Sequence, residues 1–171
     1  RAVAAPLAPA SPRRADQAAV DAAARALRSR APTMIAMARA NLRAEPVALA
    51  NRIAAATGAT VTAETFNARF TRGRGRFPIQ RTPYPIDDAL AHFARSRHVV
   101  VVGAQDPIGF FEYPGRPGRL RPESAELIVL AKPEEDGIDA LTRLADRIGA
   151  PEIAPPSPPA RPMPAKGAIT S

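Results

Sequence analysis

Residues 98–118 read HVVVVGAQDPIGFFEYPGRPG. Four successive valines, Val99 to Val102, carry no polar alternation, so a strand built from them has no side suited to water. Strands buried on both faces belong to parallel sheets with helices packed on each side. Gly103 and Ala104 end the run where such a sheet presents its carboxyl edge, the edge that faces ligands or partner domains. Beyond it, Phe110, Phe111 and Tyr113 lie among Pro107, Pro114 and Pro117. Large aromatic side chains in a proline-bounded loop imply packing under that loop or against a neighbouring surface, and the second is the reading adopted for Gln105 to Gly118.

Working outward, helices and strands alternate. Asp16 is placed to cap a helix with Val20, Ala23, Ala24 and Leu27 on one face. Pro32 breaks the chain before an apolar strand, Thr33 to Met37. Pro46 suits the first position of the next helix, Leu49, Ile53 and Ala56 are expected on its buried face, and Gly58 stops it. Thr60 to Ala63 reads as a second strand, and 77–80 (FPIQ) as a small additional one. Pro85, Asp87 and Asp88 open a helix with an expected stripe of Ile86, Leu90, Phe93 and Ala94. Val99–Val102 and Glu126–Ala131 (ELIVLA) are further strands. A last helix is capped by Asp136, with Ile138, Leu141, Leu144, Ala145 and Ile148 inward and Gly149 ending it. This alternation predicts an α/β fold: a doubly wound, mostly parallel sheet of five or six strands, helices on both faces, Rossmann-like. One globular unit over 15–150 is expected between an N-terminal linker, 1–14, and a proline-rich C-terminal linker, 151–171.

The chain has 171 residues and no cysteine, which removes thiolate metal sites, cysteine nucleophiles and disulfides. No apolar run is long enough to span a bilayer and no signal-peptide pattern opens the chain, so a cytoplasmic setting without membrane contact is expected. The net charge of +8 invites a nucleic-acid reading, but five basic residues and no acid sit in 1–14 and 154–171 (Arg1, Arg13, Arg14, Arg161, Lys166). Nearly all the positive charge is arginine, lysine occurring only at 132 and 166, and the basic stretch holds few interleaved aromatics. No nucleic-acid partner is expected.

Motifs that carry chemistry are scarce. No G-x-G-x-x-G follows the first strand, where Ala38-Arg39-Ala40-Asn41 stands instead, and no nucleophile elbow, P-loop or H-E-x-x-H pair occurs. Gly73 and Gly75 sit in an acid-free, arginine-rich stretch with Arg69, Arg72, Arg74, Arg76 and Arg81, read as a solvated loop with an anion-gripping alternative. His92 is expected on the polar side of its helix and His98 at a strand start, neither with a metal partner at ligand spacing. The carboxylates Glu134, Glu135, Asp136 and Asp139 crowd a helix start, where capping explains them. No catalytic residue and no metal ligand is assigned.

Two segments resemble a known family. ALANRIAAATGATVTAETFNARFTRGRGRFPIQRTPY (48–84) looks like the helix–strand–loop of the central domain in thiamine diphosphate-dependent enzymes of the acetolactate synthase-like group. HVVVVGAQDPIGFFEYPGRPGRLRPESAELIVLAKPEEDGIDALTRLADRIGA (98–150) is similar to the second half of that domain. The Gly103-Ala104 strand end and the Phe-Phe-x-Tyr-Pro-Gly run at 110–115 are its most specific elements.

The resemblance implies a three-domain parent enzyme, a transferase or lyase using thiamine diphosphate and magnesium to decarboxylate a 2-oxo acid or ligate its acyl unit. The activating glutamate and the Gly-Asp-Gly metal motif belong to the flanking domains in that family, and this chain contains no Gly-Asp-Gly. It implies an isolated central domain, not catalytic alone, with flanking domains and sister subunits as partners. Some family members bind FAD or ADP in this domain. The alternative expectation is therefore a stand-alone nucleotide-binding module, using Arg39, Asn41, Thr65 and Gly103 at the carboxyl-edge crevice. Where such members carry an acid at the end of the ELIVLA-type strand, Ala131 and Lys132 stand.

Overall fold

The computed structural model describes residue 8, residues 10–157, and residues 160 and 167. Arg1 and much of the proline-rich stretch after 157 lie outside the described residues. The elements are α1 (Gln17–Arg28), β1 (Thr33–Met37), a 3₁₀ turn (Arg39–Leu42), α2 (Ala44–Thr57), β2 (Thr60–Ala63), β3 (Gln80–Arg81), α3 (Ile86–Phe93), β4 (His98–Val102), β5 (Glu126–Ala131) and α4 (Gly137–Ile148). Five parallel strands form one sheet in the order β3-β2-β1-β4-β5. The short strand foreseen at 77–80 is paired only at Gln80 and Arg81, making five strands rather than six.

β1 is central and every one of its residues is buried. Ile35 aligns with Val61 on one side and Val100 on the other, and Val100 with Ile128. Val99, Val100, Val101 and Val102 are all fully buried, as the unbroken valine run requires. One sheet face is covered by α1, α2 and α4, which bury Leu27, Ile53, Leu141 and Leu144 against Ile35, Val100 and Leu130. The other face has a single helix, α3, whose Ala89 and Phe93 pack with Met34, Val99, Val101 and Leu120. No helix occurs between β4 and β5, so Leu120 of the 103–125 crossover covers that face where a doubly wound sheet would set one.

Several helix faces turn out rotated from the sequence expectation. α2 begins at Ala44, so Pro46 is its third residue, still in the first turn where a missing N–H costs nothing. Its buried residues are Pro46, Val47, Ala50, Ile53 and Thr57, leaving Leu49 and Ala56 half-buried. In α3 the buried alanine is Ala89, while Ala94 is exposed. Ile138 is 37% exposed in the first turn of α4, outside its Leu141–Leu144–Ala145 stripe. The caps match: Asp16 accepts from the Ala18 N–H, Asp136 from Ile138 and Asp139, and Gly58 and Gly149 take φ of 80° and 74°.

α1 and α4 are joined by an ion pair and by hydrogen bonds. Arg143 binds Asp139, the Gln17 side chain and the Ala15 carbonyl, and Arg147 binds Asp21 at 3.1 Å. The chain joins this assembly from Arg13, which exchanges backbone hydrogen bonds with Glu134 and Asp136.

Leu141→Ala should lower the unfolding free energy by about 3 kcal/mol, because its void is walled by both α1 and the sheet. Ile138→Ala should change it by less than about 0.5 kcal/mol, as expected of a surface position. Urea unfolding of the two variants checks the assignment of the α4 face.

Candidate functional site

The chain runs from β1 outward to β2 and β3, then returns to build β4 and β5 on the other side. The carboxyl ends of β1 and β4 therefore form the switch point at which open α/β sheets bind ligands. Here the 3₁₀ turn crosses it. Arg39, at φ 58°, is exposed, whereas Asn41 is only 7% exposed. The Asn41 amide lies 3.4 Å from the Val102 carbonyl and fills the space between Gly103 and Gly137. A Cβ at either glycine would overlap that amide, and Gly103 also takes φ 63°. The glycines let a protein side chain come close, which is the service they give to a pyrophosphate in a dinucleotide fold.

Of the four sequence-predicted nucleotide residues, Arg39, Asn41 and Gly103 thus gather at the switch point. Thr65 stands beyond β2, its hydroxyl donating to the Thr82 carbonyl at 3.2 Å. Ala131 and Lys132 end β5, and the Lys132 N–H is taken by the Glu135 carboxylate at 2.9 Å. With Asn41 occupying the crevice, these residues do not fit a dinucleotide pyrophosphate. They do not fit thiamine diphosphate with its metal either. Among the described residues no three His, Asp or Glu side chains are grouped to hold a cation.

A hollow of about 250 Å³ opens beside the switch point, on the α3 face of the sheet. Ala36 from β1, Ala89 from α3 and Ala104 after β4 line it where larger side chains would close it. Phe66, Tyr84 and Phe110 stand around it, each about half exposed. Its polar wall includes Glu64, whose carboxylate accepts the Gln105 N–H. Burial raises the Glu64 pKa above the ordinary carboxylate value, and the Arg39 guanidinium offsets part of that rise. Sequence reasoning missed this hollow, because alanines on three separate elements carry no local signal.

His92, expected on a polar face, is half-buried and shares a 2.9 Å hydrogen bond with Thr62 Oγ1, which lies 3.2 Å from Thr82 Oγ1. Burial lowers its pKa, keeping the ring neutral in a structural role. His98 pairs with Glu126 across the start of β4 and β5.

The loop 104–125 is held open as a surface by Arg121. Its guanidinium forks onto both Asp106 oxygens at 2.8 and 3.1 Å and also donates to the Ala125 carbonyl. Arg119 reaches the same carboxylate at 3.0 Å. The tip then projects Ile108, Phe110 and Phe111, at 65%, 59% and 55% exposure. Phe66, Tyr84, Phe110, Phe111 and Tyr113 form one connected series of ring contacts with centroids 4.6 to 6.2 Å apart. Five of the eight Phe and Tyr residues of the chain are spent on this surface.

Comparison with known proteins accords with these features. No protein-family profile matches the chain. A Mycobacterium tuberculosis protein provisionally named acetolactate synthase large subunit IlvX is 37% identical over 145 residues. The chain matches one segment of an acetolactate synthase large subunit-like protein. That match takes in 85% of this chain and 28% of the relative. An X-ray structure of a provisionally assigned thiamin diphosphate-dependent enzyme from Mycobacterium smegmatis shares the fold, with a TM-score of 0.60 at 24% identity. It aligns with 92% of this chain and 33% of its own. No helix among the described residues is long and apolar enough to cross a membrane.

Gly103→Ala should destabilise the chain by about 2–3 kcal/mol, since the methyl meets Asn41 and the backbone is left-handed. Adding Asn41→Ala should recover about 1 kcal/mol of that loss, a coupling that a double-mutant cycle measures. Glu64 titrates higher folded than unfolded, so its contribution to stability falls as pH rises through the ordinary glutamate value toward the raised one. Glu64→Gln should therefore gain stability relative to the wild type as pH rises above the ordinary glutamate value, read from unfolding midpoints across a pH series.

Proposed function

We propose that this chain is the central, interdomain domain of a thiamine diphosphate-dependent 2-oxo acid carboligase or decarboxylase and performs no chemistry alone. The observation that carries the reading is the 37% identity confined to 28% of a longer acetolactate synthase large subunit-like relative. In the parent enzyme, flanking domains and sister subunits supply the thiamine diphosphate and magnesium sites. This segment supplies a rigid sheet and a surface for its neighbours to pack on. A globular unit over 15–150, with linkers at 1–14 and 151–171, fits that role, as does a place in the cytoplasm.

The aromatic surface is the contact area this reading requires. Soluble monomers seldom expose connected apolar patches of this kind, and such patches mark interaction sites. The chain path agrees. Arg13 enters beside Glu134 and Asp136, at the carboxyl end of β5, and Pro155 borders the same surface hollow as Ala44 and Val47 at the start of α2. Both flanking segments thus pass the carboxyl edge, where the aromatic rings are displayed.

The chain should release no carbon dioxide from 2-oxo acids and form no carboligation product when supplied with thiamine diphosphate and magnesium. Turnover by the chain alone would overturn the proposal. So would coding sequence on either side that lacks thiamine-binding domains. Calorimetric titration with FAD and ADP should give no heat at high micromolar ligand, and binding would favour the stand-alone nucleotide module.

A further inference from the structure

The hollow on the α3 face has a chemistry that the interdomain role leaves unused. Its floor is built from small residues on three elements, Ala36, Ala89 and Ala104, with Phe93 and Leu120 completing it. An apolar cavity of about 150 Å³ suffices for a benzene ring, and this hollow measures about 250 Å³. It has room for one ring and a short substituent. Phe66, Tyr84 and Phe110 present faces and edges at 53° to 75° to one another, which favours an aromatic guest over a branched aliphatic one.

Charge narrows the guest further. The lining contains two carboxylates, Glu64 and Asp106, and no lysine, arginine or histidine. Asp106 is already bound by Arg119 and Arg121, so its charge is neutralised. Glu64 has no such fork and keeps lone pairs beyond the one that takes the Gln105 N–H. A partly desolvated carboxylate beside aromatic rings attracts a cation and rejects an anion. Arg39 stands outside the lining and offsets the burial of Glu64 only in part, so the Glu64 carboxylate turns the hollow towards a cation rather than an anion.

We propose that this hollow binds a small aromatic amine, its ring on the alanine floor and its protonated nitrogen at the Glu64 carboxylate. The site is separate from the Asn41 crevice and shares Phe66, Tyr84 and Phe110 with the proposed interdomain surface, but binding by the chain alone is tested without that reading.

Three probes of similar size and different charge test it on the whole chain: benzylamine, benzyl alcohol and benzoate, followed through the Ala89 and Ala104 methyl resonances. Benzylamine should shift both methyls with a Kd near 1 mM or tighter, benzyl alcohol should bind about tenfold more weakly, and benzoate should not bind. Glu64→Gln should bring the amine down to the affinity of the alcohol. Ala89→Leu should abolish both by filling the floor. The proposal is overturned if benzylamine causes no shift up to about 10 mM or if benzoate binds as well as the amine. It is equally overturned if Glu64→Gln leaves the amine affinity unchanged. Undiminished binding to a folded Ala89→Leu variant would place the amine elsewhere and also overturn it.

Discussion

The dry pairing of β1 with β4 is the constraint on which the rest of this structure depends. Ile35 and Val100 face each other at the centre of the sheet, and neither strand has a residue side free for solvent in its interior. Both faces must be covered, yet the described residues supply three helices to one and one helix to the other. On the poorer face, the crossover between β4 and β5 has to shield Val99 and Val101 without forming a helix. It does so with Leu120 and a loop pinned by the Arg121–Asp106 fork. A fork of two parallel hydrogen bonds sets direction as well as distance, which a loop of this length needs. The hollow and the aromatic surface both follow from covering the face with a loop instead of a helix.

Strand positions and caps were readable from the sequence because their signals are local: β-branched runs, Asp at helix starts, Gly at helix ends. Helix faces were less readable. Leu49, Ala56, Ala94 and Ile138 are as apolar as the residues that are buried, and alanine-rich helices offer several stripes of equal quality. Only the direction of the sheet decides among them. β3 is two residues long and pairs only with β2, so the short strand read at 77–80 was placed three residues early. The hydrogen bond between His92 and Thr62 joins residues 30 apart in the chain, and a helical wheel cannot show it.

The carboxyl edge shows why a motif search and a geometric reading diverge. The absence of glycine at 38–41 was visible, and it removed the dinucleotide fingerprint. What the sequence could not convey is that Gly103 and Gly137 are still needed for close approach, with Asn41 as the group that approaches. The polar atoms of a buried asparagine need partners, and the Val102 carbonyl provides one. A crevice that would be open in a dinucleotide-binding fold has become part of the packed interior.

The arginine content has a similar explanation. A pI near 11.2 suggests an anionic partner, but many of these side chains are committed within the fold. Arg121 holds the crossover loop, Arg143 and Arg147 tie α4 to Ala15 and to α1, and Arg52 donates to the Ala150 carbonyl at 2.8 Å. Arg28 reaches the Arg147 carbonyl in the same way. A guanidinium presents five donors in a plane, so it can satisfy backbone carbonyls and a carboxylate together where an ammonium could not do both with fixed geometry. Charge used in this manner raises the pI without building a field directed at a ligand. Around the hollow beside Glu64 the same pattern holds, with Arg119 and Arg121 both committed to the Asp106 carboxylate.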